Sequence, residues 1–309
     1  MGAEQLGKGH LGEGHLGSLG SNWLAVRRTV IYLACTLVLM PMQLLGLVLR
    51  QRWAAQLPRF YHRQCCRILG FDVRQIGAPV DARPVLFAAN HVSYTDITVL
   101  GSLIAGSFVA KSEIAGWPFF GWLAKLQRSV FVDRQVRSTA QQRDAIAERL
   151  AAGEALILFP EGTSGDGNFV LPFKSALFST VFHREQAITV QPVSIGYARL
   201  DGLPIGRMLR PFFAWYGDMD LTPHLWRLLG LGTIEAVVEF HPPVAVADFR
   251  SRKALSEYCE AQVRAGVSRM LSGRDPTPEP GPVEGRPAPA PAGLPPASLS
   301  NELPAAAVG

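Results

Sequence analysis

From Thr29 to Leu49 the chain is apolar apart from Thr36 and Gln43. As a helix this run would measure about 31 Å, close to the hydrocarbon thickness of a bilayer. Pro41 falls near its middle, and Arg27, Arg28, Arg50 and Arg52 flank its two ends almost equally. The symmetry gives no positive-inside bias. A kinked helix or a shallow re-entrant hairpin with both ends in the cytoplasm fits it about as well as a span, and a helix buried in a soluble domain is the remaining alternative. Behind the run, Leu57, Phe60, Tyr61, Cys65 and Ile68 alternate with Arg59, His62, Arg63 and Arg67, the pattern of an amphipathic helix at a membrane interface.

The charge distribution fits the same picture. Between Ser21 and Gln75 the charged side chains are Arg27, Arg28, Arg50, Arg52, Arg59, Arg63, Arg67 and Arg74 against the single acid Asp72. Such a cluster around an apolar segment suits an anionic membrane surface; no nucleic-acid-binding motif accompanies it. A hydrophobic fraction of 48% also leaves apolar surface for lipid. Residues 1–20 read as a Gly-rich leader, 21–70 as the membrane-anchoring helical segment, 71–273 as the main folded domain, and 274–309 as a Pro- and Ala-rich tail expected to be disordered. The four cysteines, Cys35, Cys65, Cys66 and Cys259, lack metal spacing and read as fillers in a reduced compartment.

From Asp72 onward, short apolar runs alternate with helical periodicity, which predicts an α/β fold. Two runs end in loops rich in chemistry. Val85–Ala89 leads into Asn90-His91-Val92-Ser93-Tyr94-Thr95-Asp96, and Leu156–Phe159 leads into Pro160-Glu161-Gly162-Thr163-Ser164. On one continuous helix His91 and Asp96 would point apart, so they meet only if His91 is in the loop and Asp96 in the first helical turn. Ser93 is then expected as the N-cap, with Asp96 at capping-box spacing. Further strands are expected at Ser107–Ala110, Ser129–Val132, Ile188–Ile195, Phe212–Tyr216 and Ile234–Phe240, with Pro192 at an edge or bulge. Helices are expected over Val136–Ala152 and, capped by Ser251, over Arg252–Leu271.

A loop histidine with a carboxylate partner is the arrangement for general-base catalysis, the acid fixing the imidazole tautomer. No serine or cysteine is delivered to it as a nucleophile, so the base would act on a hydroxyl brought by the substrate. The Glu161-Gly162-Thr163 turn can offer backbone N–H groups to an anionic head group or an oxyanion. Zinc is disfavoured because His91 has no His or Cys partner at ligand spacing.

Asn90-His91 with Asp96, Phe131-Val132-Asp133-Arg134, Phe159-Pro160-Glu161-Gly162-Thr163 and Val190-Gln191-Pro192-Val193, in this order, resemble the four sequence blocks of the glycerolipid acyltransferases. The resemblance covers about residues 25–270. It implies a mixed β-sheet with surrounding helices and an N-terminal membrane-associated helical segment, held at the inner (cytoplasmic) membrane with the active site on the cytoplasmic side. It implies acyl transfer from an acyl carrier protein or coenzyme A thioester to the free hydroxyl of a lysolipid, with no metal or redox cofactor. His91 would be the base and Asp96 its orienting acid; Arg134, Glu161, Gly162, Thr163, Ser164 and Lys111 would bind substrate.

The leading acceptor on this resemblance is 1-acyl-sn-glycerol-3-phosphate, giving phosphatidate. One departure opens an alternative. Where many phosphatidate-forming members carry an arginine after Glu-Gly-Thr, this chain has Ser164, followed by Gly165-Asp166-Gly167. Arg134, Lys111 or Lys174 would have to replace that guanidinium. Together with Trp215-Tyr216-Gly217-Asp218-Met219-Asp220, the local sequence also resembles the branch that acylates lyso-ornithine lipid, whose head group has no phosphate. A non-catalytic lipid-binding protein and a hydrolase using the same His–Asp pair are the alternatives of other classes.

Overall fold

The computed structural model describes residues 20–132, 139–182 and 187–273. The described residues open with a long helix, α1 (Asn22–Val48), and after a 3-10 turn at Arg52–Ala55 the chain folds back through α2 (Leu57–Leu69). It continues with β1 (Phe71–Ile76), β2 (Val85–Ala89), α3 (Thr95–Leu103), β3 (Ser107–Lys111), α4 (Phe120–Leu126) and β4 (Val130–Val132). Next come α5 (Thr139–Ala151), β5 (Ala155–Leu158), the short α6 (Ser179–Phe182), β6 (Thr189–Leu200) and β7 (Leu203–Pro204). The short α7 (Arg210–Phe213), α8 (Leu221–Leu229), β8 (Ile234–Phe240), β9 (Val244–Ala245) and α9 (Arg252–Leu271) complete the described fold.

The strands form one mixed sheet in the order β1-β8-β6-β2-β5-β3-β4, with β7 and β9 also pairing with β6. β2 is buried along its whole length between two parallel neighbours, β5 and β6. Its side chains therefore serve two cores. Val85, Phe87 and Ala89 join the layer containing Val99, Leu100 and Ile195, while Leu86 and Ala88 join the layer containing Leu255 and Val263. Because β2 and β5 run parallel in register, with Phe87 opposite Ile157, the loops after both strands open at the same end of the sheet. That places the His91 and Glu161 segments together.

Several local expectations are corrected. Pro192 lies inside a central strand, opposite Ala88 of β2. It is tolerated there because the antiparallel partner changes from β9, paired to Val190, to β8, paired from Val193. Phe212–Tyr216 is not a strand: Pro211 suits the first turn of a helix, and α7 ends at Phe213. The apolar segment is one continuous helix through Pro41, not a hairpin. The expected start of a helix at Val136 lies outside the described residues, and α5 is seen from Thr139. Ser251 does cap α9, its Oγ accepting from the Ala254 N–H at 3.2 Å.

The two faces of α1 are inverted relative to a soluble amphipathic helix. Its buried positions include Arg28, Thr36 and Gln43, whereas Val30, Leu37, Val38, Leu44 and Val48 are exposed. Thus polar side chains tie the helix to the domain and aliphatic ones face outward. Arg28 does not face the membrane as its place in the arginine cluster suggests: its guanidinium donates to the carbonyls of Leu229, Leu231 and Gly232, where it closes the C-terminal end of α8. Arg59 and Arg63 likewise donate to the Ser102 carbonyl near the end of α3.

Candidate active site

β2 delivers His91 and α3 delivers Asp96. The Asn90 amide extends the sheet pairing one residue past the strand, exchanging two hydrogen bonds with the backbone of Ile195 at 2.8 and 2.9 Å. This fixes the start of the loop. His91 Nδ1 then lies 2.8 Å from Asp96 Oδ2. The same oxygen accepts from the N–H groups of Val92 (2.6 Å) and Ser93 (2.9 Å), while Oδ1 accepts from the Tyr197 hydroxyl at 2.7 Å. Four donors surround this one fully buried carboxylate, and an acceptor at Nδ1 places the imidazole proton there.

Asp96 thus takes the position expected of it, but the cap differs. The helix begins after Tyr94, and Ser93 Oγ is buried without a hydrogen-bond partner among the described residues. The carboxylate of Asp96 binds the loop amides that a serine cap would have left free.

Tyr197 was not singled out from sequence. It lies on the core face of β6 with Val193 and Ile195, and its hydroxyl must donate to Asp96, so Thr95 Oγ1, 2.6 Å away, donates to it. Burial first, and then the Asp96 charge, push the Tyr197 phenol well above its ordinary pKa, which keeps it a proton donor. Its period-two spacing from Val193 was the available signal.

The second loop is latched to the first by Glu161. The side chain is 2% exposed, and its oxygens accept from the His91 N–H at 2.9 Å and the Leu171 N–H at 3.1 Å. Burial above all, and the Asp96 charge after it, push this carboxyl up to about 8 against the opposing pull of the two backbone donors. Glu161 therefore acts on the site through the backbone of His91. Gly162 has φ 69°, a left-handed turn that suits glycine, and its N–H is taken by the Phe159 carbonyl at 3.0 Å. Gly165 N–H binds the His91 carbonyl at 2.9 Å. Thr163 is exposed, and Ser164 turns its hydroxyl to the Trp215 carbonyl. The Trp215 N–H in turn binds the Val92 carbonyl at 3.0 Å, so three loops are knitted around the histidine.

The other predicted substrate contacts are placed less closely. Lys111 ends β3, one strand beyond β5 at the same end of the sheet. Lys174 is exposed, its N–H bonded to the Pro160 carbonyl at 2.9 Å. Arg134 lies outside the described residues.

The imidazole of His91 stacks on Phe159 with centroids 4.1 Å apart, and its side chain is 20% exposed. It opens into a cavity of about 230 Å³ between α1 and α2 on one side and α3 and α4 on the other. Leu39, Met40, Ile97, Phe108, Phe120 and Trp215 represent its largely apolar wall. A base at the mouth of an apolar cavity can deprotonate a hydroxyl whose neighbouring chain is sequestered from water.

Comparison with known proteins is consistent with this chemistry. The acyltransferase family profile matches residues 72–196. A lyso-ornithine lipid O-acyltransferase of Brucella abortus is 45% identical over 248 residues, 78% of this chain and 93% of the relative. A 1-acyl-sn-glycerol-3-phosphate acyltransferase of Neisseria gonorrhoeae is 32% identical over 63% of this chain and 74% of its own. The crystal structure of the 1-acyl-sn-glycerophosphate acyltransferase from Thermotoga maritima superposes with a TM-score of 0.52 at 25% identity, covering 78% of this chain and 97% of that one.

Proposed function

The chain belongs to the acyltransferase family, and from that membership we propose that it acylates the free hydroxyl of lyso-ornithine lipid, using an acyl carrier protein or coenzyme A thioester. The observation that carries the choice of acceptor is Ser164. Its hydroxyl is committed to the Trp215 carbonyl, so the position that would follow the Glu161-Gly162-Thr163 turn with a guanidinium supplies no cation for a phosphate. A lyso-ornithine lipid O-acyltransferase of Rhizobium meliloti, 42% identical over 87% of this chain, supports the same choice. Lysophosphatidate is the second acceptor, favoured by the relative from Neisseria gonorrhoeae.

In the reaction, His91 Nε2 takes the proton of the acceptor hydroxyl while Asp96 holds the other ring nitrogen protonated. The hydroxyl oxygen forms a C–O bond to the thioester carbonyl, the tetrahedral intermediate breaks its C–S bond, and the imidazolium returns the proton to the departing sulfur. The N–H groups of Thr163 and Ser164, which have no partner among the described residues, are the turn's available donors for an oxyanion or head group. Proton transfer and acyl exchange need no metal or redox cofactor on this route.

The catalytic domain, 71–273, is held by 21–70 at the inner membrane with His91 on the cytoplasmic side. α1 contacts the domain from Arg28, at the end of α8, to Gln43, bonded to the Leu126 carbonyl. A helix tied down along that length lies against the bilayer with its aliphatic face in lipid, and the cavity beside it receives acyl chains from the same side.

The test is transfer from an acyl thioester to lyso-ornithine lipid or to lysophosphatidate, in vesicles carrying the full chain and its His91→Ala variant. His91-dependent product from lyso-ornithine lipid alone is expected. Product from lysophosphatidate alone would overturn the acceptor assignment, and free fatty acid without diacyl product would make the protein a hydrolase.

A further inference from the structure

The two oxygens of Asp96 are held in different ways. Oδ2 faces three donors, the His91 ring and the N–H groups of Val92 and Ser93, all from the loop just before it. Oδ1 has a single donor among the described residues, the Tyr197 hydroxyl at 2.7 Å, which comes from β6, 101 residues further along the chain. That hydroxyl has one way to point. Its proton goes to Oδ1, so in the 2.6 Å contact with Thr95 Oγ1 it accepts and Thr95 donates. The donors therefore run in one direction, from Thr95 to Tyr197 to Asp96, and hydrogen bonds in such a chain polarise one another.

The sheet seats the phenol. Asn90 binds both backbone groups of Ile195, which fixes β6 against the end of β2 two residues before Tyr197. Ala236 lies opposite Tyr197 in the β6–β8 register, and its small side chain leaves the ring room on the core face, where it meets Phe71 at a centroid distance of 6.0 Å. Packing thus aims the hydroxyl at the first turn of α3.

Without this donor, Oδ1 would be a buried carboxylate oxygen with no partner. A carboxylate that turned about Cβ–Cγ to share the Val92 and Ser93 N–H groups would swing Oδ2 off His91 Nδ1. The ring would then lose both the tautomer and the aim that proton abstraction needs.

We propose that Tyr197 is a positioning residue for acyl transfer: by holding Oδ1 it fixes the carboxylate whose Oδ2 orients His91, and Thr95 locks the phenol in place. The inference rests on His91 being the base and deepens that reading.

Tyr197→Phe keeps the ring and removes the hydroxyl. Turnover per folded molecule is measured on the full-length protein in detergent, at saturating thioester and acceptor. kcat should fall about tenfold. KM for either substrate should stay within about twofold, because Tyr197 does not line the cavity. In an Asp96→Asn background the same change should alter kcat less than about twofold. An equal loss in both backgrounds, or a loss below about twofold in the unaltered one, would overturn the proposal and leave Tyr197 a core residue. Thr95→Val should lower kcat about two- to fivefold and Thr95→Ser should restore it. That pair decides the matter if Tyr197→Phe does not fold, and equal kcat in the two would overturn the proposal.

A second readout needs no turnover. In protein with isotope-labelled histidines, the His91 Nδ1–H resonance is identified by its disappearance in His91→Ala. A proton held by a carboxylate resonates far downfield; in Tyr197→Phe it should move upfield and exchange faster with water. An unchanged resonance would overturn the proposal. Absence of transfer to every acceptor would count against the acyltransferase reading, while the resonance still decides whether Tyr197 governs the His91–Asp96 pair.

Discussion

Among the described residues two histidine–carboxylate pairs lie beside the same sheet, and only one has the geometry of the proposed general base. His91 Nδ1 is 2.8 Å from Asp96, and the ring lines the cavity. His241, just after β8, lies beside Glu239 and Ser194, which sit opposite each other in the β6–β8 register. Ser, His and Glu together look like a nucleophilic triad, yet the hydrogens run the wrong way. Ser194 Oγ donates to the Val263 carbonyl at 3.0 Å, so in its 2.7 Å contact with His241 Nε2 it accepts. The proton therefore sits on the serine side of the ring, and Nδ1, 3.8 Å from Glu239 Oε1, is too far for a hydrogen bond. Glu239 is bound instead by Arg269. What separates the pairs is which ring nitrogen carries the proton and whether the other reaches a cavity.

The largest expected effect follows from removing the reactive member. His91→Ala should lower turnover by about 10² to 10⁴, measured with saturating thioester and acceptor, while the melting temperature moves little. A variant that keeps turnover would reduce the two pairs to the same structural status. Asp96→Asn should cost at least about 10² in kcat, because an amide no longer enforces the proton on Nδ1. It should also lose about 1–3 kcal/mol in denaturant unfolding, since its NH₂ would confront donors among the N–H groups of Val92 and Ser93 and the Tyr197 hydroxyl. Loss of stability with full activity would assign Asp96 to the fold alone.

Much of this contrast was legible in sequence on one side and invisible on the other. The strand before His91 and the helix containing Asp96 are adjacent in the chain, so local periodicity sufficed to bring the two together. Ser194, Glu239, His241 and Arg269 meet only through the antiparallel register of β6 and β8 and the packing of α9, which no local pattern encodes. Glu161 falls between: its turn was readable, but the inward aim of its carboxylate depends on parallel pairing of β2 with β5. Membrane attachment was readable from apolar length, whereas the polar, domain-facing side of α1 required knowing that α8 ends beside Arg28. At Phe212–Tyr216 the aromatic run suits a strand by composition, but Pro211 in the first turn of α7 starts a helix instead.

Ser194→Ala separates the second cluster from chemistry. It should leave turnover per folded molecule within about twofold and cost about 1–3 kcal/mol in unfolding, because the buried His241 Nε2–H loses its acceptor. A loss of turnover at unchanged stability would make Ser194 a nucleophile and collapse the contrast.

The smallest effect is a pH dependence of stability. Burial, against the opposing pull of Glu239, lowers the His241 pKa to about 4, and burial lowers that of His62 to about 4. In the unfolded chain both titrate near 6.5. Between about pH 6.5 and 4 the unfolded state therefore holds protons that the folded state does not, so stability is present above that window and is lost as pH falls through it. Each ring contributes a slope of up to about 1.4 kcal/mol per pH unit. His241→Gln should remove one ring's share from the slope between pH 6.5 and 5 in denaturant titrations, before most carboxylates protonate. An unchanged slope would mean that His241 is charged in the folded state, and then its Nδ1–H would face Glu239 as His91 faces Asp96.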